Sequence, residues 1–351
     1  MRYYLWNLYK NFQGEILYIP GRAIAFFGLI ALFLLMLIPT HPYLPRILTL
    51  SAIMAIYAAS WDLLLFTGQL NLGHCAFLGV AGYTSAIFNV QLKLPAAATI
   101  LIGALVGVLT GLIVCLPALR LRGPYLKIVT LVFPIILAGL VFAFPDLTGG
   151  ENGIFGLAKI TNSPQITSLI CFFIMLVSVL IMWKLTDTKS SIIRTGIIFS
   201  AIREDEIGAR IAGINTVKYK LLAFGISGFF AGISGGLYVH FLGVSGPSTL
   251  DFMLAIWPVV WCIFGSARTI WGAIVGVYTL YPISEVLLLT IPQFRMIIFT
   301  GLIVVMLLFM PEGIGSWIRD KLEVRCPRCR VLNSVRRDSC RACAASLQTE
   351  Q

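Results

Sequence analysis

Ten apolar stretches run through this chain of 351 residues with few charges inside them, at about 23–39, 46–66, 70–92, 95–119, 124–144, 167–184, 220–243, 252–265, 269–290 and 296–310. A hydrocarbon layer about 30 Å thick takes about 20 helical residues to cross, and most of these stretches meet that length. With 58% hydrophobic and 12% charged residues, no soluble class fits. The expected fold is an all-α integral membrane protein of about ten transmembrane helices. Two stretches strain the rule. The third carries Gly73, His74, Gly79 and Gly82, and the eighth is short, with Pro258 inside it.

Basic residues set the expected orientation, because cytoplasmic loops collect Lys and Arg. If the N-terminus starts inside and ten spans alternate, 22 of the 26 basic residues fall on the cytoplasmic side, leaving out Arg46, Lys93, Lys159 and Arg295. Dropping one span would invert everything downstream, so both termini are expected in the cytoplasm. The net charge of +11 follows from this topology and from an anionic inner leaflet, and by itself makes no case for nucleic acid. Residues 1–22 mix Arg2, Lys10 and Arg22 with Tyr3, Tyr4, Trp6 and Tyr9, which suits a segment at the lipid headgroups. No small-residue cleavage site follows the first stretch, which reads as an uncleaved anchor. The loops at 145–164 and 243–251 are expected outside.

A dense charged island interrupts this background at Ser200–Asn215, SAIREDEIGARIAGIN. It reads as one short amphipathic helix capped by Ser200, with Glu204, Asp205 and Glu206 toward its positive end and Arg210 toward its negative end. Glu206 and Arg210 stand i, i+4 for an ion pair, and Ile207, Ile211 and Ile214 form one apolar stripe. Spacing alone leaves two readings open: a docking helix, or a surface helix that packs its isoleucines on the membrane domain.

Polar groups also crowd the join between the second and third stretches, where Thr67, Gly68, Gln69, Asn71, Gly73 and His74 follow one another. Bare polar groups in hydrocarbon cost several kcal/mol, of order 2–7, so these should face protein or a water-filled path. Close helix packing through the glycines is the alternative. The intramembrane acids Asp62 and Glu285 read as snorkelling or paired carboxylates rather than proton carriers. The chain has no G-x-x-x-x-G-K-[ST] loop to cradle a nucleotide, no H-E-x-x-H and no G-x-S-x-G, and its histidines 41, 74 and 240 are scattered. Its residues describe a passage rather than an engine, and no catalytic residue is expected.

Several separate motifs occur in order: Thr67-Gly68-Gln69-Leu70-Asn71-Leu72-Gly73-His74 followed by Ala76-Phe77 and Gly82-Tyr83, then Arg122-Gly123-Pro124-Tyr125, Thr148-Gly149-Gly150 with Asn152-Gly153, and Ala201-Ile202-Arg203-Glu204-Asp205-Glu206 with Gly213-Ile214 and Tyr219-Lys220-Leu221. Over about residues 45–310 this succession resembles the LivM-type permease subunit of branched-chain amino-acid ABC importers. The pattern departs at Leu65-Phe66 and at Asn71. The resemblance implies alternating access in a bacterial inner membrane, a heterodimer with a second permease, two cytoplasmic ATPase subunits that alone bind ATP, and a periplasmic solute-binding protein. It makes the island the coupling helix, through Arg203, Glu204, Asp205, Glu206, Gly208, Arg210 and Gly213, with the two glycines allowing close approach. The polar join becomes the expected substrate path. Urea and short-amide permeases share these motifs and remain an alternative cargo class; an ion-coupled secondary transporter is the alternative of a different kind.

One feature is foreign to that pattern. Cys326-Pro327-Arg328-Cys329 and Cys340-Arg341-Ala342-Cys343 are two C-x-x-C knuckles ten residues apart, which reads as a small zinc ribbon whose four thiolates share one tetrahedral ion. So short a segment cannot build its own core, and the metal would supply its folding energy. Arg325, Arg328, Arg330, Arg336, Arg337 and Arg341 make it basic, which suits a lipid surface, an acidic patch on the ATPase or, less well, nucleic acid, and equally a plain solvated face. Cys75, Cys115, Cys171 and Cys262 read as packing residues. The expected organisation is a segment 1–22, a permease domain 23–310 with its coupling loop at about 185–219, a linker 311–325, the ribbon 326–343 and a tail 344–351.

Overall fold

The structure is a computed structural model. It describes Gly28, residues 43–119, 121, 124–188, 194–309, 313–314, 321, 323–329, 332–334, 340, 343 and 345–347. The segment 1–22, the first expected span apart from Gly28, Arg122-Gly123 and the ribbon arginines Arg330, Arg336, Arg337 and Arg341 lie outside the described residues.

Twelve α-helices, one 3-10 turn at Pro247–Leu250 and two short antiparallel strand pairs make up the described chain. The helices are α1 Tyr43–Phe66, α2 Cys75–Leu92, α3 Ala96–Ala118, α4 Pro124–Ala143, α5 Pro145–Thr148, α6 Pro164–Thr186, α7 Thr195–Glu204, α8 Glu206–Ile211, α9 Thr216–Leu242, α10 Phe252–Gly265, α11 Ile270–Thr290 and α12 Arg295–Phe309. The strands are β1 Ile154–Phe155, β2 Val244–Ser245, β3 Glu323–Arg325 and β4 Leu332–Ser334. Seven helices, α1 to α4, α6, α9 and α11, are long and apolar enough to cross a membrane. The expected ten spans are therefore not reached among the described residues. α10, at 14 residues, and α12, at 15, fall short of a full crossing, and the first span is not described.

The third expected span also starts later than the sequence suggests. Residues 70–74 are not helical, and α2 begins at Cys75. α1 ends in a Schellman motif: Gln69 N–H bonds Leu64 O at 3.2 Å and Gly68 N–H bonds Leu65 O at 3.1 Å, with Gly68 at φ +75°. A left-handed residue with these paired carbonyls stops the helix and sends the chain sideways before α2 can begin.

α1 is the most enclosed of the spanning helices, and α9 packs along α1, α2 and α3. Between lipid-soluble helices there is no hydrophobic drive, so close van der Waals contact through small residues has to supply the association. A Cβ added at Gly107 would land on the Gly228 carbonyl, one at Gly228 on the Gly107 carbonyl, and one at Gly111 on the Phe224 carbonyl. The α3–α9 seam is backbone against backbone. Cys75, Cys115, Cys171 and Cys262 are buried, as packing residues should be.

The loops sort to two ends. At one end β1 pairs antiparallel with β2, Ile154 opposite Ser245, which joins the 145–164 and 243–251 loops. There the buried His240 donates from Nδ1 to Ala158 O at 2.7 Å and meets Ser85 and Thr99 hydroxyls at 3.0 and 2.9 Å through Nε2. At the opposite end Asp62 Oδ1, on buried α1, accepts the Arg268 N–H at 2.7 Å. This acid holds the tight 266–269 turn before α11, where Ser266 and Arg268 both have positive φ.

Gly228→Leu forces backbone against backbone, an overpacking that costs at least about 3 kcal/mol where neither side can yield. It should abolish the monodisperse size-exclusion peak of the detergent-solubilised protein. Gly139→Ala, where nothing lies within 4 Å of the new Cβ, should leave the peak unchanged. Equal peaks would show that the α3–α9 seam does not need its glycines.

Candidate functional site

The charged island is two helices rather than one. Ser200 lies inside α7 and caps nothing, contrary to the sequence expectation. Asp205 breaks the run with extended backbone, φ −150° and ψ 105°, and its Oδ1 accepts the Ile207 N–H at 2.9 Å as the N-cap of α8. A short carboxylate that takes up an amide two residues on competes with helix continuation, which is why the island folds as an elbow. α8 ends as α1 does: Ile214 N–H bonds Ala209 O at 3.0 Å, Gly213 N–H bonds Arg210 O at 3.0 Å, and Gly213 has φ +84°. Asn215 Oδ1 then accepts the Lys218 N–H at 3.0 Å and caps α9.

Both island glycines therefore serve the island itself. A Cβ on Gly208 would meet the Asp205 carboxylate, and Gly213 meets nothing but requires the left-handed backbone. The close approach to a partner expected of them from the sequence is not needed to explain either.

The expected Glu206–Arg210 ion pair forms at 2.6 Å. Lys220 of α9, part of the Tyr219-Lys220-Leu221 motif but not expected as a partner of Glu206, reaches the other Glu206 oxygen at 2.9 Å, and Arg210 Nε also donates to Thr216 Oγ1 at 2.9 Å. Burial alone would push the Glu206 carboxyl up. Hydrogen bonds and charge from Lys220, then from Arg210, outweigh burial and hold it below its ordinary range. Glu204 is likewise held low, by the hydrogen bond and charge of Arg203. Of the apolar stripe, Ile207 is 57% and Ile211 83% exposed. Ile207 and Ile211 thus face away from the helical bundle, while Ile214 is half-buried.

The polar join divides. Thr67, Gly68 and Gln69 lie against the island, where a Cβ on Gly68 would sit 3.2 Å from Arg203 Cγ, and the three residues line a cavity of about 290 Å3 together with Arg203, Glu206 and Lys220. Asn71, Gly73 and His74 are built into the protein interior instead. Ser60 Oγ donates to Tyr57 O and so accepts from His74 Nε2 at 2.8 Å, which leaves Nδ1 toward Asn71 Nδ2 at 3.5 Å. Asn71 Oδ1 accepts the Gly73 N–H at 2.9 Å, and Asn71 O accepts Trp61 Nε1–H at 2.6 Å. Leu72 N–H bonds Thr130 Oγ1 at 3.1 Å, and a Cβ on Gly73 would strike the Thr130 carbonyl. These three residues fasten the α1–α2 link to α1 and α4. Ser60 and Thr130, ordinary hydroxyls within apolar runs, gave no sequence signal of this. A further cavity of about 360 Å3 opens at the opposite end beside Arg46, Lys159 and His240, and none of the expected site residues lines it.

The four ribbon cysteines converge. Cys326 Sγ lies 3.5 Å from Cys343 Sγ, Cys329 Sγ lies 3.4 Å from Cys340 Sγ, and all four sulfurs fall within 4.8 Å of one another. A tetrahedral ion with Zn–S bonds of about 2.3 Å sets its sulfurs about 3.8 Å apart, so the donor set fits a metal of that kind. The β3–β4 hairpin, Glu323 opposite Ser334, presents the first knuckle, and Asn333 Nδ2 lies 3.5 Å from Cys340 Sγ. Backbone N–H groups of Cys329 and Arg328 hold the Cys326 thiol below its ordinary value, which favours the thiolate a metal requires. Cys326, Cys329, Cys340 and Cys343 could thus hold a metal ion.

Because the Glu206 carboxyl is held low, the stability it contributes is present above the usual Glu range, about pH 4.3, and fades as pH falls through its lowered folded value. Glu206→Gln strands the Lys220 ammonium, only 3% exposed, and should cost about 3 kcal/mol, read as a lower thermal midpoint of the purified protein. The double variant Glu206→Gln with Lys220→Met should recover most of that loss. A single variant as stable as the parent would show that the pair does not hold α8 to α9.

A family model described as branched-chain amino acid transport system / permease component matches residues 43–308. The high-affinity branched-chain amino acid transport system permease protein LivM of Salmonella typhimurium is 29% identical over 283 residues, 74% of this chain and 66% of that protein. The LivM protein of Escherichia coli is 28% identical over 288 residues with the same shares. The ribose import permease protein RbsC of Escherichia coli is 25% identical over 248 residues, 66% of this chain and 73% of that protein. The chain thus spans just under two thirds of the length of the LivM relatives. No solved structure matches it. With the match running from the first residue of α1 into α12, over a bundle of spanning helices, this chain belongs to the branched-chain amino acid transport system permease component family.

Proposed function

We propose that the chain is the membrane subunit of an ATP-driven importer that carries branched-chain amino acids across a bacterial inner membrane by alternating access. The substrate reading rests on the LivM relatives, whose names specify that cargo. RbsC, named for ribose import, keeps the cargo class a matter for experiment. In this reading both termini and the α7–α8 elbow face the cytoplasm, ATP is hydrolysed on two separate subunits, a second permease completes the pathway and a periplasmic binding protein delivers the solute. Residues 23–310 form the permease domain, 311–325 a linker to the ribbon at 326–343, and Thr67, Gly68 and Gln69 are the part of the polar join left to meet the solute.

The observation that carries the coupling role is the exposed isoleucine pair on α8. Ile211 is 83% exposed on a helix fixed to α9 by the Lys220–Glu206–Arg210 knot. A rigid strut with an apolar, charge-rimmed tip is built to be pushed by something else. Arg203, Glu204, Asp205 and Arg210 surround that tip and complement a partner groove, while Gly208 and Gly213 let the strut hold its shape. Ile211→Glu changes a side chain that is 83% exposed, yet it should lower transport-coupled ATP turnover of the assembled complex at least ten-fold and release the ATPase subunits on co-purification. Unchanged turnover and co-purification would place the docking surface elsewhere.

The ribbon is read as a zinc site held by Cys326, Cys329, Cys340 and Cys343. When bound, the ion supplies cross-linking and folding energy to a segment too small for a core of its own. Elemental analysis of the full-length purified protein should give about one zinc per chain, and Cys326→Ser or Cys340→Ser should reduce it to near zero. Metal-free wild-type protein with a folded ribbon would end the zinc assignment.

A further inference from the structure

Arg46 and Lys159 are two of the four basic residues that the ten-span count leaves off the cytoplasmic side, and both line the cavity of about 360 Å3 at the end opposite the elbow. No Asp or Glu lines that cavity, and neither basic side chain forms an ion pair or a hydrogen bond with the described residues. Glu285 of α11, a helix packed on α1, is bonded to Tyr281 and does not line the space. Two unmatched cations thus meet at one opening, where their charges repel unless an anion lies between them.

The wall that carries them is held from inside the bundle, unlike an ordinary solvated surface. Ala158, the residue before Lys159, is gripped on both sides: buried Asn89 accepts its N–H through Oδ1 at 2.8 Å, and buried His240 donates from Nδ1 to its carbonyl at 2.7 Å. Further along the same loop Thr161 Oγ1 lies 2.6 Å from Thr167 Oγ1, which ties the loop to α6. Thr49 Oγ1 and Ser168 Oγ, 2.7 Å apart, tie α1 to α6 beside the cavity. The backbones that carry Arg46 and Lys159 are therefore fixed relative to one another before anything binds, which lowers the ordering cost of holding a ligand.

Position and lining select the kind of anion. The wall is made of the first turns of α1 and α6 and the last turn of α9, the level at which spanning helices leave hydrocarbon for lipid headgroups. The helix dipoles there oppose one another, so the net positive charge comes from Arg46 and Lys159. A zwitterion would bring an ammonium for which the wall has no carboxylate, whereas an anionic phospholipid brings a phosphate without one. Ile160, Phe241 and Leu242 add apolar surface beside the charges. We propose that this cavity binds the headgroup phosphate of an anionic phospholipid, with Arg46 as a forked donor and Lys159 as a point charge. The site stands whatever the cargo.

Native mass spectrometry of the full-length protein in detergent, titrated with dioleoyl phosphatidylglycerol, tests it. One such lipid per chain should bind at least ten-fold more tightly than dioleoyl phosphatidylcholine. Arg46→Gln with Lys159→Gln should weaken that lipid at least ten-fold, and Lys159→Gln alone at least three-fold. Both side chains are exposed, so the size-exclusion peak should stay as in the parent. Lys93→Gln, at another of the four basic positions, should bind like the parent. Equal affinity for the two lipids, undiminished binding by the double variant, or an equal loss in Lys93→Gln would overturn the site. Inorganic phosphate and leucine at millimolar concentration should leave the lipid in place. Displacement by phosphate would assign the cavity to a free anion and displacement by leucine to a soluble amino acid, and either result would overturn the lipid assignment.

Discussion

Every helix that ends near hydrocarbon leaves carbonyls and amides that water is not there to meet, and the fold is governed by how those ends are closed. α1 closes with Gly68 in a Schellman motif and α8 with Gly213 in another. Asp205 and Asn215 cap the helices that follow α7 and α8. Asp62 carries the same logic into the bundle, where a carboxylate on the most enclosed helix takes the Arg268 amide. The charged and polar residues that look functional in the sequence are concentrated at these closures. Some of their chemistry is spent on architecture before any is left for a solute or a partner.

That division explains what could be read in advance. Apolar runs longer than a bilayer is thick marked α1 to α4, α6, α9 and α11 with little error, because length and hydropathy are properties of the chain alone. The Glu206–Arg210 pair was visible because i, i+4 is fixed by the helix, and the cysteine cluster because C-x-x-C is fixed by the knuckle. Lys220 was not visible as a partner, since nothing in spacing says that α9 will fold back along the elbow. Asn71 and His74, expected on the substrate path, have bonds that spacing does not show: Ser60 and Trp61, on the preceding helix, bond them, and the Schellman turn at Gly68 brings those groups within reach.

Ser200 shows a subtler limit. A serine before an amphipathic run is a sound N-cap by rule, but Asp205 is a stronger competitor placed mid-run, and it divides the island into two. The division matters for the mechanics of the elbow. A single long helix could pivot about its length, whereas a six-residue strut capped at Asp205, terminated at Gly213 and tied by Lys220 moves with α9. Because α9 is locked to α3 by glycines whose backbones touch, displacement of the strut has no soft element to absorb it before the bundle moves.

The same end of the molecule fixes the root of the C-terminal extension. A Cβ at Gly313 would strike the backbone of Ile263 and Ser266, so the chain leaving α12 lies against the turn whose Arg268 is held by Asp62. Thirteen residues lead from Gly313 to Cys326, a reach of at most about 45 Å even when fully extended. The cysteine cluster is therefore confined near the face that presents Ile211. Whatever docks on that face shares its space with a compact, arginine-bearing knuckle, and the effective concentration of a tethered module falls only slowly with tether length. Contact between the knuckle and a docked partner would thus need little intrinsic affinity. An appendage that looks unrelated to the helical bundle in sequence is, in space, rooted beside the 266–269 turn, at the end of the bundle that carries the α7–α8 elbow.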